Sequence, residues 1–177
     1  MNPDLIDPYL KILFVGLDGS GKSTIISKLI DLKPNEVKEI YPTPFINCHR
    51  TKLDNKNVIF IEISGLKRFR NVWKNFYNEI NGIVFVIDGT DPVRLNVVKE
   101  CVLKMDRDLS SGKMMPVAFF INKQDESKCL TVDQVKNYLE LDKLDTNFIS
   151  HIYRGSAFNN IGLNDCLSFI TAKLIQE

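Results

Sequence analysis

One stretch of eight residues constrains the fold of this chain more than any other. Residues 16–23 read GLDGSGKS and fill every required position of the pattern GxxxxGK[ST]. A nearly continuous apolar run at residues 11–15 precedes the stretch, and apolar residues at helical spacing follow it. Glycine lets a loop turn its amide N–H groups inward, and a helix that starts there adds its own N-terminal amides and the positive end of its dipole. The sequence therefore predicts a strand, a loop that wraps a polyphosphate, and a helix.

The rest of the chain alternates strand-like and amphipathic runs in the order βαββαβαβαβα. Such alternation is typical of a mostly parallel sheet with helices on both faces. Residues 45–52 and 57–63 are the exception, because the short connection between them predicts an antiparallel hairpin. We expect an α/β, three-layer fold of the P-loop NTPase type, with a six-stranded sheet, one antiparallel edge hairpin and five helices. The other strands are expected at residues 11–15, 82–88, 116–121 and 148–153.

Composition and length restrict the classes of function. The 177 residues fit a single domain that spans residues 1–177. Lysine and arginine number 23 and aspartate and glutamate 22, for a net charge of +1, whereas a general binder of nucleic acid needs a basic excess. The four cysteines form no CxxC pair, and no apolar run approaches the ~20 residues of a membrane span. We expect reduced thiols, no nucleic-acid partner and a cytoplasmic location.

A second motif, NKQD at residues 122–125, follows a predicted strand. A carboxylate at Asp125 can accept hydrogen bonds from N1–H and the N2 amino group of guanine, whereas adenine has no donor at N1 and leaves the carboxylate unpaired. The Lys123 stem can lie along the base plane, and residues 155–157 offer a further backbone amide near O6 of the base. The motif predicts a guanine site at the carboxyl end of a strand. An ordinary polar turn is the alternative.

These motifs, taken in order, identify a family resemblance. They include residues 16–24, Pro42 with Thr43, Gly65, VIDGTD at 86–91, NKQD, and GSA at 155–157. Over nearly its whole length the chain resembles a small GTPase of the Ras superfamily and, within it, the Arf and Arf-like branch. Residues 64–65 and 68–73 are most similar to the Arf-like subfamily linked to Bardet–Biedl syndrome, which recruits the BBSome coat at cilia.

The resemblance implies a switch that binds GTP and GDP with Mg²⁺ and acts in membrane, vesicle or ciliary trafficking. Effectors, exchange factors and activating proteins are then the expected partners, through switch segments at residues 35–47 and 62–77. Asn2 is not the glycine that myristoylation requires, and residues 174–177 form no CaaX box. No direct lipid anchor is expected, so recruitment to membranes or to the base of a cilium would run through partners.

The expected site residues follow from the motifs and the resemblance. Lys22 reaches the β- and γ-phosphates, and Ser23 coordinates Mg²⁺. The resemblance implies that Thr43 meets Mg²⁺ and the γ-phosphate in the GTP state, with a solvated turn as the alternative, and that the Gly65 amide meets the same phosphate. It also implies that the hairpin at residues 45–63 slides in register between nucleotide states. The nucleotide-binding residues are expected to be Asp18, Gly19, Ser20, Gly21, Lys22, Ser23, Thr24, Asn122, Lys123, Asp125, Ser156 and Ala157.

Two residues depart from the family pattern DxxGQ. Glu62 stands in place of the aspartate that holds Mg²⁺ through water, and its extra methylene could reach the shell of the ion or crowd it. Leu66 stands in place of the glutamine that orients the attacking water, and an alkyl side chain has no donor or acceptor for that task. We expect very slow intrinsic hydrolysis, unless a partner restores it in trans. The alternatives are a scaffold that keeps GTP and, with no arginine-bearing lid evident, a P-loop kinase.

A basic stretch lies beside the second switch segment. It consists of Lys67, Arg68, Arg70 and Lys74. A solvated helix face is the default interpretation of such a stretch, and contact with an effector is the alternative.

Overall fold

The computed structural model describes residues 9–31, 38–39, 45–53, 56–109, 114–141 and 147–173. Within these ranges one sheet contains seven strands: β1 (Leu10–Val15), β2 (Lys38–Glu39), β3 (Ile46–Leu53), β4 (Lys56–Ile63), β5 (Gly82–Asp88), β6 (Met115–Asn122) and β7 (Phe148–Arg154). Their order across the sheet is β2-β3-β4-β1-β5-β6-β7. The pairs β2–β3 and β3–β4 are antiparallel, and the others are parallel. The predicted six strands and edge hairpin are confirmed, and the two-residue β2 is an addition at the edge.

The described residues contain five helical regions, as predicted: four lie between strands and the fifth follows β7. They are α1 (Lys22–Asp31), a 3-10 helix (Lys67–Phe76), α2 (Leu95–Asp108, entered through a 3-10 turn at Pro92–Arg94), α3 (Val132–Leu139) and α4 (Leu163–Lys173). The Asp91 side chain accepts the Arg94 amide at 3.1 Å, which caps the entry to α2. Thr131 and Gln134 form the predicted capping box of α3. None of the helices described is long and apolar enough to cross a bilayer.

The central strands of the sheet are buried on both faces. Successive side chains of a strand point to opposite faces, so a strand covered on both sides is apolar throughout. On one face an aromatic row crosses the sheet, with ring centroids 6.0 Å apart for Trp73–Phe85, 5.7 Å for Phe85–Phe119 and 6.0 Å for Phe119–Phe148. On the other face a second cluster packs beneath α1 and α4. This three-layer arrangement holds the loops at the strand ends in place.

The parallel strands all end at the same edge of the sheet. In the register of the sheet, Phe14 pairs with Glu62, and Asp88 pairs with Asn122. The five loops that follow β1, β4, β5, β6 and β7 therefore leave the sheet side by side. Ligands of open α/β sheets bind at this edge, and it carries both the phosphate motif and the guanine motif.

Candidate functional site

The loop between β1 and α1 has the backbone geometry that a phosphate cradle requires. Gly16, Gly19 and Gly21 have φ of 139°, 77° and 94°, a region that side chains disfavour. A Cβ on Gly16 would lie 2.1 Å from the Val86 carbonyl oxygen, and one on Gly21 would lie 2.3 Å from Nδ2 of Asn122. Only glycine fits at both positions. The glycine spacing of the motif is therefore explained by close contacts as well as by conformation.

Lys22 directs its ammonium group back over the start of this loop. Nζ donates to the carbonyl oxygens of Leu17 at 2.9 Å and Gly16 at 3.1 Å, and the residue is buried. Burial lowers the pKa of Lys22, and the nearby carboxylates of Glu62 and Asp18 offset only part of that effect. A desolvated cation beside inward-facing amides is suited to bind phosphate oxygens.

The Glu62 side chain, one methylene longer than the family aspartate, contacts Ser23, the expected Mg²⁺ ligand. Oε1 of Glu62 accepts a hydrogen bond of 2.5 Å from the Ser23 hydroxyl, while Nδ2 of Asn47 lies 3.5 Å from Oε2. The longer side chain thus reaches Ser23 without leaving the buried end of β4. Hydroxyl and carboxylate oxygens are the ligands that Mg²⁺ prefers, so Ser23 and Glu62 fit this ion. Thr43, the third expected ligand, lies outside the described residues, as does most of the segment 35–47.

The turn after β4 rests directly on the phosphate loop. A Cβ on Gly65 would lie 2.3 Å from backbone atoms of Gly16, Leu17 and Asp18. Two side chains of the following 3-10 helix hold the turn: Arg70 Nε donates to the Gly65 carbonyl at 2.8 Å, and Trp73 Nε1 donates to the Ser64 carbonyl at 3.2 Å. The Leu66 side chain lies next in the chain, and the residue is 42% exposed. No polar side-chain atom is thus supplied at the position of the family glutamine.

Asn122 joins the phosphate end of the site to the base end. Its Nδ2 donates to the Ser20 carbonyl at 2.9 Å, and its Oδ1 accepts the Ala157 amide at 2.9 Å. The residue is buried, so both bonds are sheltered from water. The guanine motif and the phosphate loop are therefore parts of one continuous site, although they lie about a hundred residues apart in the chain.

The loops after β6 and β7 orient the side chains that were expected to bind the base. Lys123 has a φ of 68°, and its Nζ donates to Oδ2 of Asp88 at 2.5 Å. Burial acts to raise the pKa of Asp88, but hydrogen bonds from Lys123 and Thr90 outweigh it and hold the pKa below its ordinary value. The Ser156 hydroxyl donates to Oδ1 of Asp125. In the described residues no hydrogen bond is made to Oδ2 of Asp125, so this oxygen is available to a ligand.

Most of the predicted site residues converge at this edge, and the structure adds a charge network that the motifs do not signal. Asp18 is paired with Arg94 at 3.2 Å and with Arg70 at 3.5 Å, and Arg94 is also paired with Asp91. Sequence reasoning placed Arg70 in a basic stretch and gave Arg94 no role. Arg94 lies 76 residues from Asp18 in the chain, so only the fold brings the two together.

Comparison with known proteins agrees with the resemblance of the motifs. The model of the ADP-ribosylation factor family matches residues 4–174. ADP-ribosylation factor-like protein 5A of Homo sapiens is 30% identical over 166 residues, 93% of this chain and 89% of that protein. ADP-ribosylation factor-like protein 6 of Danio rerio is 33% identical over 141 residues, 76% of this chain and 73% of that protein. The structure of the Arl6 BBS3 small GTPase from Trypanosoma brucei, with bound nucleotide analogue GppNp, matches with a TM-score of 0.81 at 27% identity, and the match covers 96% of this chain and 99% of that one.

Proposed function

The chain belongs to the ADP-ribosylation factor family of GTP-binding switches, and we propose that it cycles slowly between GTP and GDP, each held with Mg²⁺. One observation carries the proposal: Asn122 ties the phosphate loop to the loop of Ala157 through two buried hydrogen bonds. A cradle for phosphates and a free carboxylate oxygen of Asp125 thus lie in one site. A guanine nucleotide has phosphates for the cradle and a base with two hydrogen-bond donors for the Asp125 carboxylate.

The phosphates would be held by the backbone amides of residues 18–24 and by the Lys22 ammonium. Ser23 and Thr43 would hold Mg²⁺ directly, and Glu62 would hold it through water. The ion, when bound, neutralises part of the phosphate charge. At the other end, Asp125 would accept the two guanine donors, while Ser156 keeps its carboxylate oriented.

The Asp125 carboxylate gives the sharpest test of this proposal. We expect calorimetry to detect GDP binding, strengthened by Mg²⁺, and a much weaker affinity for ADP. Asp125→Ala removes two charge-assisted hydrogen bonds and should weaken GDP binding about 100-fold, with ADP binding unchanged. Glu126→Ala, an exposed acidic neighbour, is the control and should bind GDP as the native chain does. Equal affinities of the native chain for GDP and ADP would refute the proposal.

Leu66 supports a second candidate function. A chain that cannot position the attacking water could keep GTP almost permanently and serve as a scaffold for effectors. The nucleotide recovered from purified protein separates the two candidates. Recovered GTP that persists after addition of a cell extract favours the scaffold, whereas conversion to GDP in the extract favours a switch that an activating protein completes.

The cellular role that we propose is protein transport at membranes or at the base of a cilium, with recruitment through partners. The similarity to an Arl6 BBS3 small GTPase supports it. Effectors, exchange factors and activating proteins would contact the switch segments 35–47 and 62–77, of which the second presents the turn at Gly65. A tagged full-length chain should change its location when Ser23→Asn weakens the Mg²⁺ and phosphate contacts, and an unchanged location would count against this role.

A further inference from the structure

Arg70 is anchored at the rim of the phosphate loop by two different acceptors. Its Nε donates to the Gly65 carbonyl at 2.8 Å, and its Nη2 lies 3.5 Å from Oδ1 of Asp18. The side chain is 18% exposed, whereas that of Asp18 is 45% exposed. The guanidinium group is therefore held in a sheltered position between the turn after β4 and the phosphate loop.

The bond between Arg70 and Asp18 is the loosest contact of the charge network. Charge-assisted pairs are usually about 2.7–2.9 Å long, and this one is 3.5 Å. Asp18 has a closer partner in Arg94 at 3.2 Å, which is itself fixed by Asp91 at 2.5 Å. Asp18 therefore stays neutralised when Arg70 turns to another acceptor. A guanidinium group has several N–H donors, so Arg70 can bind a new anion and keep the Gly65 carbonyl.

Arg70 also lies close to the cation that is expected to bind the end of the phosphate chain. Gly65, to which it is bonded, packs against the backbone of residues 16–18, and Lys22 donates to the carbonyls of Gly16 and Leu17 in the same stretch. The Arg70 charge contributes to lowering the pKa of Lys22, which places the two cations within electrostatic reach of each other. A group of negative charge at this point would be attracted by both.

We propose that Arg70 recognises the third phosphate of a bound nucleoside triphosphate and so favours GTP over GDP. The inference rests on the proposed function, and it names a residue that distinguishes bound GTP from bound GDP. A diphosphate ends at the β-phosphate, which Lys22 and the loop amides would already bind. A triphosphate adds one further anionic group beside the Gly65 turn, where the Arg70 N–H groups that do not hold the Gly65 carbonyl can turn toward it. Arg94 offsets the repulsion that Asp18 would otherwise exert on that group.

The test compares affinities for GDP and for β,γ-imido GTP, both with Mg²⁺, measured on the full chain. Loss of one charge-assisted contact in Arg70→Gln should weaken binding of the imido analogue about tenfold more than binding of GDP. Arg70→Lys keeps the charge, so it should recover part of the preference. Arg68→Gln is the matched control, because Arg68 is exposed on the same 3-10 helix and stacks on Phe69 rather than contacting the loop.

Each result has a defined meaning. An unchanged ratio of the two affinities in Arg70→Gln overturns the proposal. If both affinities fall by the same factor, Arg70 only supports the fold. If Arg70→Lys prefers the imido analogue over GDP no more than Arg70→Gln does, the claim that the positive charge of Arg70 contributes to the preference is overturned. A native chain that binds neither nucleotide refutes the proposed function itself, a different failure from any of these.

Discussion

The two residues that break the family pattern are expected to have opposite consequences. Glu62 is one methylene longer than the usual aspartate, and its carboxylate accepts the Ser23 hydroxyl at 2.5 Å, so the longer side chain still meets the other expected Mg²⁺ ligand. Leu66 has no such compensation, because an alkyl group can neither donate nor accept a hydrogen bond. Its neighbour Gly65 is held in place by Arg70, which leaves the geometry of the turn intact and only the polar group missing.

This contrast predicts a gain of activity from a single substitution. Leu66→Gln supplies a group that can orient water, so single-turnover hydrolysis of GTP should become about 10–100 times faster, the value of one well-placed hydrogen bond. Leu66→Ala trims the side chain without adding a polar atom and should leave the rate unchanged. A native rate that already equals that of the Gln variant would contradict the role given to position 66.

Among the elements, the ends of β5 and β6 are joined by an ion pair. Asp88 closes β5, and its carboxylate accepts Lys123 just after β6 and Thr90 in its own loop. These bonds keep the pKa of Asp88 below its ordinary value of 3.8. A carboxyl whose pKa is lower in the folded state than in the unfolded state stabilises the fold above the unfolded value, and the stabilisation is lost as the pH falls through the folded value.

The free energy of unfolding should therefore decline below a pH of about 3.8, in part because Asp88 becomes protonated. Asp88→Asn should cost about 1 kcal/mol at neutral pH and should flatten this decline, since the ionised form no longer exists to be lost. Urea unfolding across a series of acidic pH values measures both effects. Glu126→Gln, an exposed carboxyl of the next loop, should preserve the native pH profile.

The elements that the sequence predicts well are those with local signals. The glycine spacing of residues 16–23, the capping residues Thr131 and Gln134 and the apolar runs of the central strands each depend on near neighbours. The helix Lys67–Phe76 is expected from its spacing but its 3-10 form is not, because 3-10 runs longer than three or four residues are uncommon. The two-residue β2 has no pattern of its own, and it forms because β3 offers an edge.

For the whole molecule, the buried Asn122 joins the loop expected to bind phosphate to the loop expected to lie beside the base. Its partners, Ser20 and Ala157, lie in loops that follow different strands. A ligand that fills both ends stabilises the arrangement of both loops. The candidate site could be predicted from its motifs, whereas the pairing of Asp18 with Arg70 and Arg94 could not, because it spans 52 and 76 residues and exists only in the folded chain.

Occupation of the site should therefore raise the stability of the entire chain. GDP at about 100 times its dissociation constant contributes about 2.7 kcal/mol, which for a chain of this size corresponds to a rise in Tm of about 5–10 °C. Thermal scans with GDP and with ADP at the same concentration make the comparison. The absence of a shift with GDP, or an equal shift with ADP, would contradict the selectivity assigned to Asp125.

Trp73 has an optical consequence beyond its place in the aromatic row. It is the single tryptophan of the sequence, and its indole N–H is bonded to the carbonyl of Ser64, immediately before Gly65. Indole emission responds to changes in hydrogen bonding and polarity. The fluorescence of the unlabelled chain should therefore report on the Gly65 turn, which is expected to meet the γ-phosphate, and it can be followed in real time without any attached dye.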